Sequence, residues 1–271
     1  MSDIGPRDFS IYTTLRHDPF INIDPIPTTV CRQAGLTYML HENYNYLIDA
    51  CLHFQRVQAT GSLLGQSGLL NFLTKLAEFV ELHRITHFGS VTPLLVKILV
   101  HMDGTLSFQC SPTPRISYRN LYPKSLSDLI NLSNGIVTPH QQTLIFILHV
   151  FNINIQPSDH TRFKTTFRSA YNDAQDEYDV HDTHGNHEVL LVNESGQIMG
   201  GSFSNVYFRR DDRWVTPSLA AGGENGVMRK WALNKGLCVE GTIMKDSLTD
   251  GEMCCIGSSA RGFHPANLCL I

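Results

Sequence analysis

A chain of 271 residues is long enough for one large domain or two moderate ones, each with a full core. Its 42% hydrophobic and 17% charged content is that of a globular protein and excludes the disordered and fibrous classes. A net charge of -4 without a basic cluster leaves no footprint for nucleic acid or anionic lipid, and no apolar run reaches membrane-spanning length.

The first ten residues, MSDIGPRDFS, lack a basic stretch followed by an apolar one, so no signal peptide is expected. Seven cysteines without metal-ligand spacing point to reduced thiols in the cytosol. Residues 8 to 16 read as a short strand. Leu36 to Gln55 and Leu63 to Leu82 carry apolar stripes at helical spacing. The run LLVKILV at residues 94 to 100, the Asp103-Gly104 turn and Leu106-Ser107-Phe108 form a hairpin signal. Pro112, Pro114 and Pro123 mark a linker near residues 112 to 125. This divides the chain into a small N-terminal subdomain, 1–122, and a larger C-terminal one, 123–271.

The second part is richer in strands. Leu144 to Ile155 is expected as a long apolar strand ended by Gln156-Pro157. Turns at Glu194-Ser195-Gly196 and Asp211-Asp212 each join two short β-type runs. Gly226 to Asn234 reads as a helix started through glycines and left at Gly236. The expected class is α+β or α/β with two subdomains.

Three stretches carry chemistry. RFKTTFR, residues 162 to 168, sets Lys164 among hydroxyl-bearing and aromatic neighbours instead of acids. Gly222-Gly223-Glu224-Asn225-Gly226 leads straight into Val227-Met228-Arg229, and backbone N–H groups at such a helix start hold phosphate. Gly257-Ser258-Ser259 offers two hydroxyls that would complete a phosphate cup.

The order of these pieces resembles that of the class IV aminotransferase-like family, the fold-type IV pyridoxal-phosphate enzymes with the D-amino acid aminotransferase-like fold. That family pattern runs from a lysine after a strand to a hairpin, an Asn-aliphatic-aromatic triplet, Thr-Pro and Gly-aliphatic-x-Arg. Here it is matched by Lys164, LLVNESGQIMGGSFSNVYF with Asn205-Val206-Tyr207, Val215-Thr216-Pro217 and Gly226-Val227-Met228-Arg229. Within the family, IYTTLRHDP (11 to 19), IQPSDHTRFKTTFRSAYNDA (155 to 174) and SSARGFHPAN (258 to 267) resemble the fungal aminodeoxychorismate lyases.

The resemblance implies pyridoxal 5'-phosphate as cofactor, Lys164 as the Schiff-base lysine, and cleavage of 4-amino-4-deoxychorismate to 4-aminobenzoate and pyruvate in folate synthesis. It implies Asn205, Val227, Met228, Ser258 and Ser259 as cofactor contacts and Thr14 or Thr13 as a hydrogen-bonding partner. Arg16, Arg115 and Arg229 are candidates for the substrate carboxylates, because guanidinium pairs with carboxylate through two hydrogen bonds. Arg229 is also a candidate for holding its loop. The expected assembly is a homodimer acting on a small molecule in the cytoplasm. Alternatives are an aminotransferase for D- or branched-chain amino acids and a catalytically degenerate relative with a binding role.

Two positions depart from the family pattern. Gly200 stands where the family carries a glutamate for the pyridine nitrogen, with Ser202 or Ser204 as neutral substitutes. Tyr44 stands where a phosphate-binding arginine is usual. His181, His184 and His187 are read as solvated loop histidines, and no metal is expected.

Overall fold

The computed structural model describes residues 9–18, 37–89, 91–133, 144–181 and 185–270. They fall into two compact units. The first runs to Arg115 and also takes in Lys164–Phe167, while the second comprises residues 116–163 and 168–271. The boundary at Arg115 lies inside the proline-punctuated segment.

The first unit is a four-stranded antiparallel sheet with helices on one face. Its elements are β1 (Ile11–His17), β2 (Thr37–Tyr38), α1 (Leu40–His53), α2 (Val57–Leu63), α3 (Gly65–His83), β3 (Leu94–Val100) and β4 (Leu106–Pro112). The strand order is β2-β1-β3-β4. Residues alternate across a strand, so Ile11, Thr13 and Leu15 share a face with Val96, Ile98 and Val100. Thr13 on that face donates to Asn43 of α1. Both strands have the burial sequence of six buried positions around one half-buried one. The two half-buried positions are Thr14 and Lys97, and they are direct cross-strand partners. Thr14 and Lys97 therefore form a polar window between the buried positions of β1 and β3.

The second unit is built on eight strands in the order β10-β9-β8-β11-β12-β5-β6-β7. Its strands are β5 (Phe146–Val150), β6 (His187–Val192), β7 (Ile198–Gly201), β8 (Asn205–Arg210), β9 (Arg213–Pro217), β10 (Val239–Gly241), β11 (Met253–Ser258) and β12 (Gly262–Cys269). Its helices are α4 (Tyr118–Leu121), α5 (Leu126–Ser133), α6 (Asp159–Arg162), α7 (Ser169–Glu177) and α8 (Val227–Asn234). β5 runs parallel to both β12 and β6, and the hairpins supply the antiparallel pairs. The β7 edge also meets β8 and β9, so the sheet curls on itself. Phe146, Leu148, Leu190, Val192, Val206 and Ile256 form one core, and Val189, Leu191 and Met199 form another with Tyr171 and Ala174 of α7.

Local sequence explains the turns. Asp211 and Asp212 both have positive φ, 46° and 63°, as a two-residue hairpin turn requires. α8 starts at an extended Gly226 and stops at Gly236, whose φ of 68° suits the left-handed helix stop. The long strand expected over Leu144 to Ile155 is shorter. Only Phe146–Val150 joins the sheet, and Ile155 makes an isolated bridge to Asn193.

Candidate functional site

Lys164 sits on a strap sewn to β1. The Tyr12 N–H donates to the Lys164 carbonyl at 2.8 Å, the Thr166 N–H donates to the Ser10 carbonyl at 2.8 Å, and Ile11 bridges Thr165. The Lys164 N–H donates to the hydroxyl of Tyr46 on α1. The lysine main chain is thus held from both sides, and its amine lies 6.0 Å from the centre of the Tyr12 ring. The amine of Lys97 lies 4.4 Å from the same ring. Both amines therefore lie near one aromatic ring.

The structure separates the two threonines. Thr13 is turned into the helix-covered face, while Thr14 is half-buried in the window. Arg16 is fully buried and binds Asp18 through two nitrogens, at 2.8 and 3.2 Å, and the Pro114 carbonyl at 2.6 Å. Its guanidinium is therefore engaged within the unit. Arg115 is exposed. Tyr44 is a buried core residue whose hydroxyl donates to the Leu63 carbonyl, and burial raises its pKa. It supplies no cation for a phosphate.

The second unit gathers the remaining candidates at one end of its sheet. Asn205 begins β8 and pairs in register with Gly257, one residue before Ser258 at the end of β11. The Asn205 amide donates to the Glu224 carbonyl at 3.0 Å. A Cβ placed on Gly226 would stand 2.1 Å from the Asn205 side-chain oxygen, and one on Gly223 only 1.8 Å from the Met199 carbonyl. Both glycines are needed for these approaches. Val227 and Met228 follow as the first helical residues, whose amides have no acceptor within a helix. The Ser258 hydroxyl accepts from the Arg261 N–H at 3.2 Å, and Ser259 is buried. Arg229 donates to the Pro217 carbonyl at 2.9 Å, to Asn225 at 3.4 Å and to Glu240. That hydrogen bond holds the Glu240 carboxyl below its ordinary pKa. Arg229 thus ties down the loop ahead of α8.

A narrow crevice lies between Asn205, Thr216, Gly223 and Arg229. The Thr216 hydroxyl is fully buried there without a hydrogen-bond partner among the described residues. A buried polar atom in that state calls for a ligand or water. The start of α8, with Ser258 and Ser259 at the adjoining end of β11, is a donor set that suits a phosphorylated group of the kind the sequence implied.

Two residues of interest escaped the sequence reading. Lys97 had a signal, being the one charge in LLVKILV. Glu188 was hidden by its apolar strand context. Glu188 is fully buried at the start of β6 and accepts from Ser202, Ser204 and the amides of Val189 and Phe203. Of the loop histidines, His184 lies outside the described residues. His181 sits 3.5 Å from Asp176 and Asp179, and His187 bonds His149 at 3.0 Å. Among the described residues no group of three or more metal-ligating side chains occurs.

Two mixed α/β units of this topology define a class IV aminotransferase-like fold. A Mesorhizobium loti structure described as a candidate amino-acid aminotransferase superposes with a TM-score of 0.64 at 20% identity, over 96% of this chain and all of that one. The profile of the family described as amino-transferase class IV matches residues 71–269, and the chain belongs to that family. It is 36% identical over 101 residues to a candidate aminodeoxychorismate lyase of Schizosaccharomyces pombe, covering 36% of this chain and 43% of the relative. It is 30% identical over 176 residues to the aminodeoxychorismate lyase of Saccharomyces cerevisiae, covering 58% of this chain and 46% of the relative. The matches thus span less than half the length of either curated relative.

Proposed function

We propose that the chain is a pyridoxal-phosphate-dependent lyase converting 4-amino-4-deoxychorismate to 4-aminobenzoate and pyruvate. The observation that carries this reading is the strap that fixes Lys164 from both sides, on the same strand that carries Thr14. The two yeast relatives support the choice of reaction within the family.

Bound pyridoxal 5'-phosphate supplies an electron sink conjugated to the substrate amine. The amides of Val227 and Met228, with Ser258 or Ser259, hold its phosphate, and Asn205 braces the helix start that presents those amides. The Lys164 amine removes the proton from C4 of the substrate. The carbon–oxygen bond to the enolpyruvyl group then breaks, and the ring becomes aromatic. Lys164 returns a proton to the methylene carbon of the leaving group, which departs as pyruvate. The Thr14 hydroxyl hydrogen-bonds that group in this reading. Lys97, half-buried opposite Thr14, and Arg115, exposed, are the cations for the two substrate carboxylates.

The same reading makes the protein a cytoplasmic homodimer. The six free cysteines among the described residues suit a reducing compartment, and no described helix is long and apolar enough to cross a membrane.

The test is to supply the purified protein with cofactor and aminodeoxychorismate and measure both products. Lys164→Ala should abolish turnover and the borohydride-fixable cofactor label while keeping the circular dichroism of the wild type. If neither product forms while an amino donor and a keto acid turn over, the chain is an aminotransferase and the lyase reading falls.

A further inference from the structure

Gly200 lacks the carboxylate expected for a ring nitrogen, and the backbone there resists restoring it, since its φ of 154° is a conformation that L side chains rarely adopt. One residue on, a Cβ at Gly201 would stand 2.8 Å from the carboxyl carbon of Glu188. The double glycine therefore makes room for a different acid, one carried by the neighbouring strand.

Glu188 is 0% exposed, yet both its oxygens are filled by donors. Oε1 accepts from the Val189 N–H at 3.0 Å, the Ser202 hydroxyl at 2.7 Å and the Phe203 N–H at 3.1 Å. Oε2 accepts from the Ser204 hydroxyl at 2.6 Å and from Phe203 at 3.3 Å. In each of these bonds the carboxylate is the acceptor, so both serine hydroxyls must donate to it. A hydroxyl that gives its proton away keeps lone pairs to accept another donor, and a charged partner polarises it further. Ser202 is 2% exposed and enclosed, whereas Ser204 is half-buried. Ser204 also directly precedes Asn205, at the sheet end where Ser258 and the start of α8 meet.

We infer that Ser204, backed by Glu188, is the acceptor for the N–H of the cofactor ring, in place of the carboxylate missing at Gly200. The ring N–H donates to the Ser204 oxygen, and the Ser204 O–H donates to Glu188. The negative charge stays one hydroxyl behind the surface. This rests on the cofactor assignment of the proposed function, and deepens it.

The experiment compares binding of pyridoxal phosphate and its 1-deaza analogue, which has carbon at the ring-nitrogen position, to the apoprotein by fluorescence quenching. Wild-type protein should prefer the nitrogen-containing cofactor by roughly tenfold, the size of one charge-assisted hydrogen bond. Ser204→Ala and Glu188→Gln should each reduce that preference to about onefold. Ser204 is half-buried, so its alanine variant keeps the test valid if the Glu188 variant fails to fold. A preference that survives in Ser204→Ala overturns the relay. Equal binding of both compounds by the wild type overturns the relay and leaves the cofactor reading intact. If the wild type binds neither, both inferences fall.

Discussion

Replacing Gly223 by alanine should both destabilise the second unit and weaken its hold on the cofactor. The new Cβ would lie 1.8 Å from the Met199 carbonyl oxygen and 2.6 Å from its carbon. Ordinary contact begins near 3.4 Å, so the loop and β7 must part by roughly 1.6 Å. The obstacle is strand backbone, which cannot rotate aside as a side chain would. Overfilling of this kind costs roughly 1–3 kcal/mol. For a chain of this size that lowers the melting temperature by about 2–12 °C. Three residues later the same loop becomes the start of α8, so its displacement also moves the amides assigned to phosphate. Gly61 in α2 is the matched control, because its Cβ would meet nothing within 4 Å. Alanine there should stabilise by about 0.5–1 kcal/mol through helix propensity and chain entropy. Thermal melts followed by circular dichroism, with and without pyridoxal phosphate, read both effects. A Gly223→Ala protein that melts and binds cofactor like the wild type would refute the steric reasoning.

Gly200→Glu should lower stability without creating a new ring-nitrogen contact, because of the φ of 154°, and its cofactor absorbance should match the wild type's. A gain of transaminase activity in a stably folded variant would contradict this. Burial raises the thiols of Cys51 and Cys238 from 9.0 to about 11. The folded state therefore holds protons that the unfolded state loses, so this contribution is intact below pH 9 and is lost progressively between about pH 9 and 11. Denaturant melts across that range should show the decline, reduced in Cys238→Ala. At the acid end, burial and the neighbouring His187 lower His149 from 6.5. Its contribution is present above that value and lost as pH falls through the lowered one, a loss that His149→Gln should blunt.

The parts of the site that were legible in the sequence are those fixed by local chemistry. Asp103-Gly104, Glu194-Ser195-Gly196 and Asp211-Asp212 all turn as their residue types demand, with φ of 84° at Gly104 and 72° at Gly196. The glycine-led start of α8 was equally plain, since a loop followed by a helix needs no distant partner to be recognised. The rest depends on pairing far along the chain. That Glu188 lies under Ser202 and Ser204 follows from the β6–β7 hairpin and its irregular register, which period-two patterning does not reveal. The internal role of Arg16 was hidden for the same reason, whereas the loop-holding role of Arg229 was one of its two readings from sequence. Guanidinium in a motif looks alike whether it meets a substrate or a nearby acid, and only the positions of Asp18 and Glu240 decide.

The strap at Lys164–Phe167 bears on the order of events at the ribosome. The first unit is discontinuous in sequence: a third backbone partner of β1, besides β2 and β3, is supplied by residues made roughly 50 positions after Arg115. At about 5–20 residues per second, the nascent unit waits on the order of several seconds before Ser10 and Tyr12 meet Thr166 and Lys164. During that interval the upper edge of β1 is a strand border of the kind that recruits wrong partners. The residue assigned to catalysis is thus also the last stitch of the unit that holds it, and damage to the strap would be felt as poor yield of folded protein as well as lost turnover.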